Sequence, residues 1–307
     1  MLKLAVPDLV SNSYFPSDAA IELGLFAKEG LDVSLELIFP VDKAYRAMRD
    51  GEVDIVAGSA HSALAAFPRF EGAKLLCAQS QGMYWFLVLR ADLKPEKGDL
   101  SAVKGRRIGA APWVDMGLRQ ILVEEGIDIQ RDDVTIMPVP SPPGRTVNFG
   151  LNAAQALEQG LIDGFWANGM AAEIAVRSGV GSVVLDTRRG DGPATSFDYT
   201  FASIATRSSF IEEHRERAAA IVIAVVAAQK ALKENVARAL EVGRKLFPGA
   251  QAELITDIVK RDLPFYDAAI SRKSVAGLSS FARKCSLIDT DLAYEDVVAT
   301  DLENLWR

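Results

Sequence analysis

An α/β fold in two lobes is what this sequence predicts, on three observations. Short apolar runs rich in Val, Ile and Leu alternate with amphipathic stretches of helical period, the alternation starts afresh near Leu100, and the chain beyond Thr206 reads as almost wholly helical. In the first round, Leu2–Pro7 reads as a strand, Pro16–Glu29 as a helix ended by Gly30, Leu31–Phe39 as a second strand and Lys43–Asp50 as a short helix. Asp54–Gly58 is a buried strand that runs straight into Ser59-Ala60-His61-Ser62, a strand-to-helix join. Leu75–Ser80 and Tyr84–Arg90 are further strands.

The second round has strands at Arg107–Ala111, Val134–Val139, Gly164–Trp166 and Ser182–Asp186, with helices at Asp115–Glu125, Ala153–Gln159 and Met170–Arg177. A strand pattern returns at Tyr199–Thr206, and Pro248, Gly249 and Pro264 punctuate the helices that follow. The simplest topology assigns residues 1–89 and 203–307 to a first lobe and residues 90–202 to a second lobe inserted into it. Two strands then cross between lobes and serve as a hinge, with a ligand cleft expected between the lobes.

Composition narrows the function. Hydrophobic residues make up 49% and charged residues 24% of the 307, so the chain can bury a sizeable core. A net charge of −7 with no dense Lys/Arg run gives no field for a phosphate backbone, and nucleic acid is not expected as a partner. The most apolar stretch, Ala218–Ala228, is well short of the roughly 20 residues a bilayer span requires and reads as a buried helix. No basic segment followed by an apolar run precedes the first strand, so the sequence as given carries no export signal. An extracytoplasmic location is expected if a leader has been removed, and a cytoplasmic one if Met1 is the native start. Cys77 and Cys285 lack metal-ligand or CxxC spacing and read as two separate buried thiols; no metal and no cofactor is expected.

Several local patterns coincide with one family. The helix ending Gly24-Leu25-Phe26-Ala27-Lys28-Glu29-Gly30-Leu31-Asp32-Val33 resembles its opening G-x-F-x-x-x-G-L-x-V segment, and Gly51-Glu52-Val53-Asp54 and Gly160-Leu161-Ile162-Asp163 are similar to its repeated G-x-x-D joins. Lys104–Gly109 resembles the start of its second lobe and Phe201–Phe210 its return strand. The family is that of ABC-importer substrate-binding proteins of the type II periplasmic-binding fold, in the group of sulfonate, nitrate, taurine and thiamine-pyrimidine-precursor (NMT1/THI5-like) binders. The resemblance implies a monomer that captures a small organic anion, sulfonate, carboxylate or heteroaromatic, and hands it to a permease. The stretch Pro138–Thr146 is longer and richer in proline than the family pattern.

In such an architecture ligands meet loops at strand carboxyl ends, where helix amino termini offer unpaired N–H groups. Four places qualify: Ser11-Asn12-Ser13-Tyr14, Ser59-Ala60-His61-Ser62, Pro112-Trp113-Val114-Asp115 and Ala167-Asn168-Gly169. Ser11, Asn12 and Ser13 suit ligand contact or ordinary helix capping. Tyr14 offers a ring face and a hydroxyl, and His61 a hydrogen-bond donor at the end of a buried strand. Trp113 and Tyr199 suit stacking or core packing, and Arg145 bidentate pairing with an acid group or plain solvation. Ser59, Asp115 and Asn168 complete the candidate set, while Trp85 reads as core and His214 as surface.

The competing class is an enzyme on the same fold, similar to a thiamine-pyrimidine synthase or an aromatic sulfinate desulfinase; a cytosolic ligand sensor is a third reading. The desulfinase route needs an activated cysteine at the cleft, and the turn after the first strand carries serines instead. No nucleophile elbow, phosphate-binding loop or HExxH motif occurs.

Overall fold

Strand β1 (Leu2–Val6) is buried at all but Lys3, as befits a strand paired on both sides and covered on both faces. The computed structural model describes residues 1–140, 148–247 and 249–307. After β1 the chain enters α1 (Phe15–Glu22) and α2 (Leu25–Lys28), where a single helix was expected. Gly24 divides them: its φ of 69° is left-handed backbone that glycine adopts without a Cβ clash. Strand β2 (Val33–Leu37) is half-buried throughout and lies at the sheet edge, shorter than its apolar run suggests. Helix α3 (Val41–Arg49) buries Val41, Ala44, Tyr45 and Met48, one stripe at helical spacing.

Strands β3 (Ile55–Ser59) and β4 (Ala73–Ser80) complete the first stretch. Then come β5 (Phe86–Arg90), β6 (Arg107–Ala110), α4 (Asp115–Glu124), β7 (Thr135–Met137), α5 (Phe149–Glu158), β8 (Gly164–Ala167), α6 (Gly169–Arg177) and β9 (Gly181–Asp186). Strand β10 (Ala202–Arg207) leads into α7 (Ser208–Glu213), α8 (Arg215–Glu234), α9 (Arg238–Leu246), α10 (Gly249–Asp262), α11 (Arg272–Lys284) and α12 (Tyr294–Val297). The apolar run expected to be a buried helix lies in α8, where Ala218, Ile221, Val222, Val225 and Ala228 are buried in the core. No helix among the described residues is long and apolar enough to cross a membrane.

Two five-stranded sheets result, ordered β2-β1-β3-β10-β4 and β7-β6-β8-β5-β9. In the first, β1 is parallel to β2 and β3, and β10 is antiparallel to β3 and β4. In the second, β6 is parallel to β7 and β8, and β5 is antiparallel to β8 and β9. Each sheet therefore has four strands pointing one way and a fifth, entering from the other half of the chain, pointing back.

The chain divides into two compact units, Met1–Gly82 with Asp198–Arg307 and Met83–Phe197. The sequence reading put the joints after residues 89 and 202. The division falls earlier because β5 pairs only with β8 and β9, and because the segment leading into β10 packs on its own unit's helix α11. There, a Cβ on Gly277 would stand 2.6 Å from the Asp198 carbonyl oxygen.

The middle of the second sheet has no spare room. A Cβ on Gly164 would stand 2.3 Å from Leu89 Cδ2 and 2.7 Å from the Val88 carbonyl oxygen. Gly164→Ala is predicted to cost about 1–3 kcal/mol through overpacking, read as a lower urea midpoint at unchanged m-value; an unchanged midpoint would contradict this packing.

Candidate functional site

The order of strands points to where each unit can bind. In the first sheet the connection leaving β1 goes to β2 on one side, and the one leaving β3 goes toward β4 on the other. A crevice is left outside their carboxyl ends, the topological switch point at which open α/β sheets hold ligands. That edge carries Ser11–Tyr14 after β1, Ser59–Ser62 after β3, Gln79 and Ser80 at the end of β4, and Tyr199–Phe201 at the start of antiparallel β10. All seven first-unit residues picked out from sequence lie on it.

The loop after β1 is buried yet poorly satisfied. Ser11, Asn12 and Ser13 are at most 1% exposed, and Ser11 Oγ, Ser13 Oγ and Asn12 Oδ1 have no hydrogen-bond partner. Capping does not explain them, because the N-cap of α1 is Tyr14 and no side chain caps that helix. Asn12 Nδ2 instead donates to Asp262 Oδ2, and Tyr266 Oη donates to the Asn12 carbonyl. The start of α1 is pinned to β4, with Ser17 N donating to Gln79 Oε1 at 3.1 Å.

After β3 the chain enters a 3-10 turn (Ala60–Ala65), where an α-helix was expected. His61 is fully buried, with Nδ1 3.0 Å from Thr200 Oγ1, and its ring edge meets Phe281 of α11 at 5.4 Å. Ser59 Oγ and Ser62 Oγ are 2.6 Å apart, and Tyr45 Oη donates to the Ser59 carbonyl at 3.1 Å. Tyr199 stacks on the same Phe281 at 4.6 Å, nearly parallel. Phe281 thus organises both aromatic candidates. Nothing near it in sequence marks it, since it comes from a helix far along the chain.

The second sheet repeats the scheme. Connections leave β6 toward β7 and β8 toward β9, so the equivalent edge carries Pro112–Asp115 after β6, Asn168 after β8 and Thr187–Arg189 after β9. Trp113 has φ 71°, a left-handed conformation costly for a bulky side chain and typical of binding loops. It is half-buried over a recess of roughly 310 Å³ that includes Met116, Arg119, Ile136 and Met137. Arg119 Nε donates to Asp115 Oδ2 at 2.7 Å and its Nη2 to the Ile136 carbonyl at 3.2 Å, which fixes the guanidinium at the recess. Asn168 caps α6, its Oδ1 accepting from Met170 N at 3.0 Å and Ala171 N at 3.2 Å. Arg145 lies outside the described residues.

Below this edge the aromatics are structural. Trp166 is fully buried and donates from Nε1 to the Val114 carbonyl at 3.0 Å, holding the loop that bears Trp113. Trp85 packs against it at 6.2 Å and Tyr84 against Trp85 at 4.7 Å. Arg188, only 4% exposed, lies 5.6 Å above the Tyr84 ring. Sequence reading missed Arg119 and Arg188. The Asp115–Arg119 spacing of four on one helix was the available sign for the first; for the second there was only an arginine just past a strand end.

A family model described as NMT1-like matches residues 12–243, well over half of the chain. The chain belongs to the NMT1-like family. No curated protein matches it in sequence. Among solved structures it is similar to the alkanesulfonate-binding protein SsuA of Xanthomonas axonopodis pv. citri bound to MOPS, with TM-score 0.73 and 13% identity over 96% of this chain and 97% of that one. It is also similar to the periplasmic nitrate-binding protein NrtA of Synechocystis PCC 6803, with TM-score 0.71 and 15% identity over 99% and 86%. A third neighbour is the desulfurization enzyme DszB, solved as a cysteine-to-serine mutant with biphenyl-2-sulfinic acid, with TM-score 0.64 and 15% identity over 98% and 97%. These likenesses give this NMT1-like chain the type II periplasmic-binding fold.

A larger open recess of roughly 550 Å³ lies beside Ser279, Ser280, Arg283 and Lys284 on α11. Its Arg283 already pairs with Asp291 at 3.2 Å, and the edge loops have the stronger claim because their polar atoms are both buried and unmet.

Neither cysteine is in a disulfide: Cys77 is buried, whereas Cys285, expected to be buried, is half-buried where α11 ends. Burial pushes the Cys77 thiol up, away from the thiolate a nucleophile needs.

In the first turns of α1, Asp18 is fully buried and neither carboxyl oxygen has a partner. Burial, then the neighbouring Glu22 and Asp8 charges, hold its pKa well above the ordinary 3.8. The folded state therefore keeps this proton better than the unfolded one, and the resulting stability is full below pH 3.8 and lost as pH rises through the raised folded value. Melting curves from pH 4 to pH 8 are expected to show wild type losing stability relative to Asp18→Asn as pH increases; parallel curves would contradict a protonated Asp18.

Proposed function

We propose that this chain is the solute-binding component of an ABC importer, taking a small organic solute with a sulfonate, carboxylate or heteroaromatic group at the carboxyl edges of its sheets. The observation that carries the reading is the buried and unsatisfied polar loop Ser11–Ser13 at the first sheet's switch point. Buried polar groups without partners cost about 1–3 kcal/mol each, so a site that supplies the partner on binding gains that much in differential affinity.

In the first unit, Ser11, Asn12, Ser13 and Tyr14 are assigned to direct contact. Ser59, His61 and Tyr199 shape the wall, with His61 held by Thr200 and Phe281. In the second unit Trp113 supplies a flat face and Arg119 the cation for an acid group, with Asp115 orienting Arg119 and Asn168 holding the start of α6. Arg145 keeps its place as a proposed contact.

The neighbours named for sulfonate and nitrate binding support this reading, and those described as periplasmic support an extracytoplasmic role with a permease as partner. A monomer suffices, since each edge is built within one chain. The presence of DszB among the neighbours raises the enzyme alternative. Against it stands the thiol inventory: Cys77 is within β4 with its thiol pushed up, and Cys285 ends α11.

A thermal-shift panel of sulfonates, aromatic carboxylates, nitrate and pyrimidines is expected to contain members that raise Tm by several degrees, since a ligand bound to the native state alone stabilises it. Trp113→Gly is expected to weaken the best binder at least about tenfold with little change in ligand-free Tm, because it removes the stacking face while glycine relieves the left-handed cost at φ 71°. A panel with no binder, or turnover of an aromatic sulfinate by the wild-type protein, would overturn the reading.

A further inference from the structure

The amide of Asn12 has only one orientation available. Its Nδ2 donates to Asp262 Oδ2, and a carboxylate can only accept, so a flipped amide would set oxygen against oxygen. The backbone is held as well, through the Tyr266 hydroxyl on the Asn12 carbonyl. Asp262 is 1% exposed and shares its charge with Arg261, whose Nε lies 3.3 Å from Oδ1, so this anchor is itself fixed.

What remains is Asn12 Oδ1, an acceptor only, on a side chain 1% exposed and with no partner. On either side, Ser11 Oγ and Ser13 Oγ are also buried and unmet, but a hydroxyl rotates to donate or accept as required. The three atoms therefore differ in what they demand. The serines tolerate any polar group, whereas Asn12 Oδ1 tolerates only a donor.

We propose that the loop after β1 is a donor-reading subsite, so that the solute presents an N–H or O–H group, as in an amine, an amide or an amino-heterocycle, to Asn12 Oδ1 while Ser11 and Ser13 complete its polar shell. This rests on the solute-binding reading and sharpens it. A bare sulfonate, carboxylate or nitrate oxygen set against Asn12 Oδ1 is acceptor facing acceptor, so an anionic group alone does not satisfy the loop. The chemistry selected is a bifunctional molecule, with a donor at one end and the acid group or ring elsewhere.

Calorimetric titration of the full chain with matched pairs differing only in the donor tests this: taurine against ethanesulfonate, β-alanine against propionate, 4-aminopyrimidine against pyrimidine. The donor-bearing member is expected to bind at least about tenfold tighter in each pair that binds. Equal or reversed preference would overturn the donor subsite and leave the solute-binding reading standing. If no member of any pair binds, both fall.

A Ser11→Ala/Ser13→Ala double variant gives a second readout. Removing hydroxyls that are buried and unmet should leave the ligand-free Tm unchanged or higher, while binding of the tighter member weakens at least about tenfold. A ligand-free Tm several degrees lower would show that these hydroxyls hold the fold, and would overturn the proposal.

Discussion

Four strands pointing one way and one pointing back is the constraint from which the rest of this molecule follows. In each unit the parallel strands gather their carboxyl ends along a single edge, and connections leaving the central pair in opposite directions keep that edge open. Backbone groups there are not claimed by the ladders, helices begin there, and polar side chains can collect. The sheets below are rigid by comparison: Gly164 sits against Leu89 and the Val88 backbone, and Trp166 reaches up to hold the Val114 carbonyl, so the loops stand on a fixed base. The reversed strand matters as much. In the first sheet β10 brings Tyr199 and Thr200 to the same edge as His61, and α11 lays Phe281 across both.

Much of this was legible in the residues. Parallel strands buried on both faces appear as continuous apolar runs, and β1, β3 and β8 fell close to where those runs lie. The polar clusters just past strand ends marked the edge loops, although the same residue types also cap helices, as Asn168 does. What could not be read was anything dependent on a distant partner. Asn12 meets Asp262 and His61 meets Thr200 and Phe281, pairings that no local pattern announces. The joints between units were also displaced, because an apolar run does not say which sheet it will join. Strand β5 looked like a crossing element, and its pairing with β8 and β9 is decided by tertiary contacts.

The two edges are built differently, and the difference is chemical. The first unit offers oxygen atoms, buried and short of partners, with acids behind them at Asp8, Asp18 and Asp262. The second offers an indole in a strained conformation and the guanidinium of Arg119, with buried Arg188 on the same edge. The atoms on the first edge suit hydrogen-bond donors and those on the second suit aromatic and anionic groups.

Hydrogen-exchange mass spectrometry, with and without the panel compound that raises Tm most, tests the central claim most directly. The account predicts slowed exchange at Ser11–Tyr14, Ala60–Ser62 and Trp113–Asp115 when the compound is bound, with the middle of both sheets unchanged. Protection confined to the recess beside Ser279 and Arg283 on α11, with the edge loops unaffected, would contradict it.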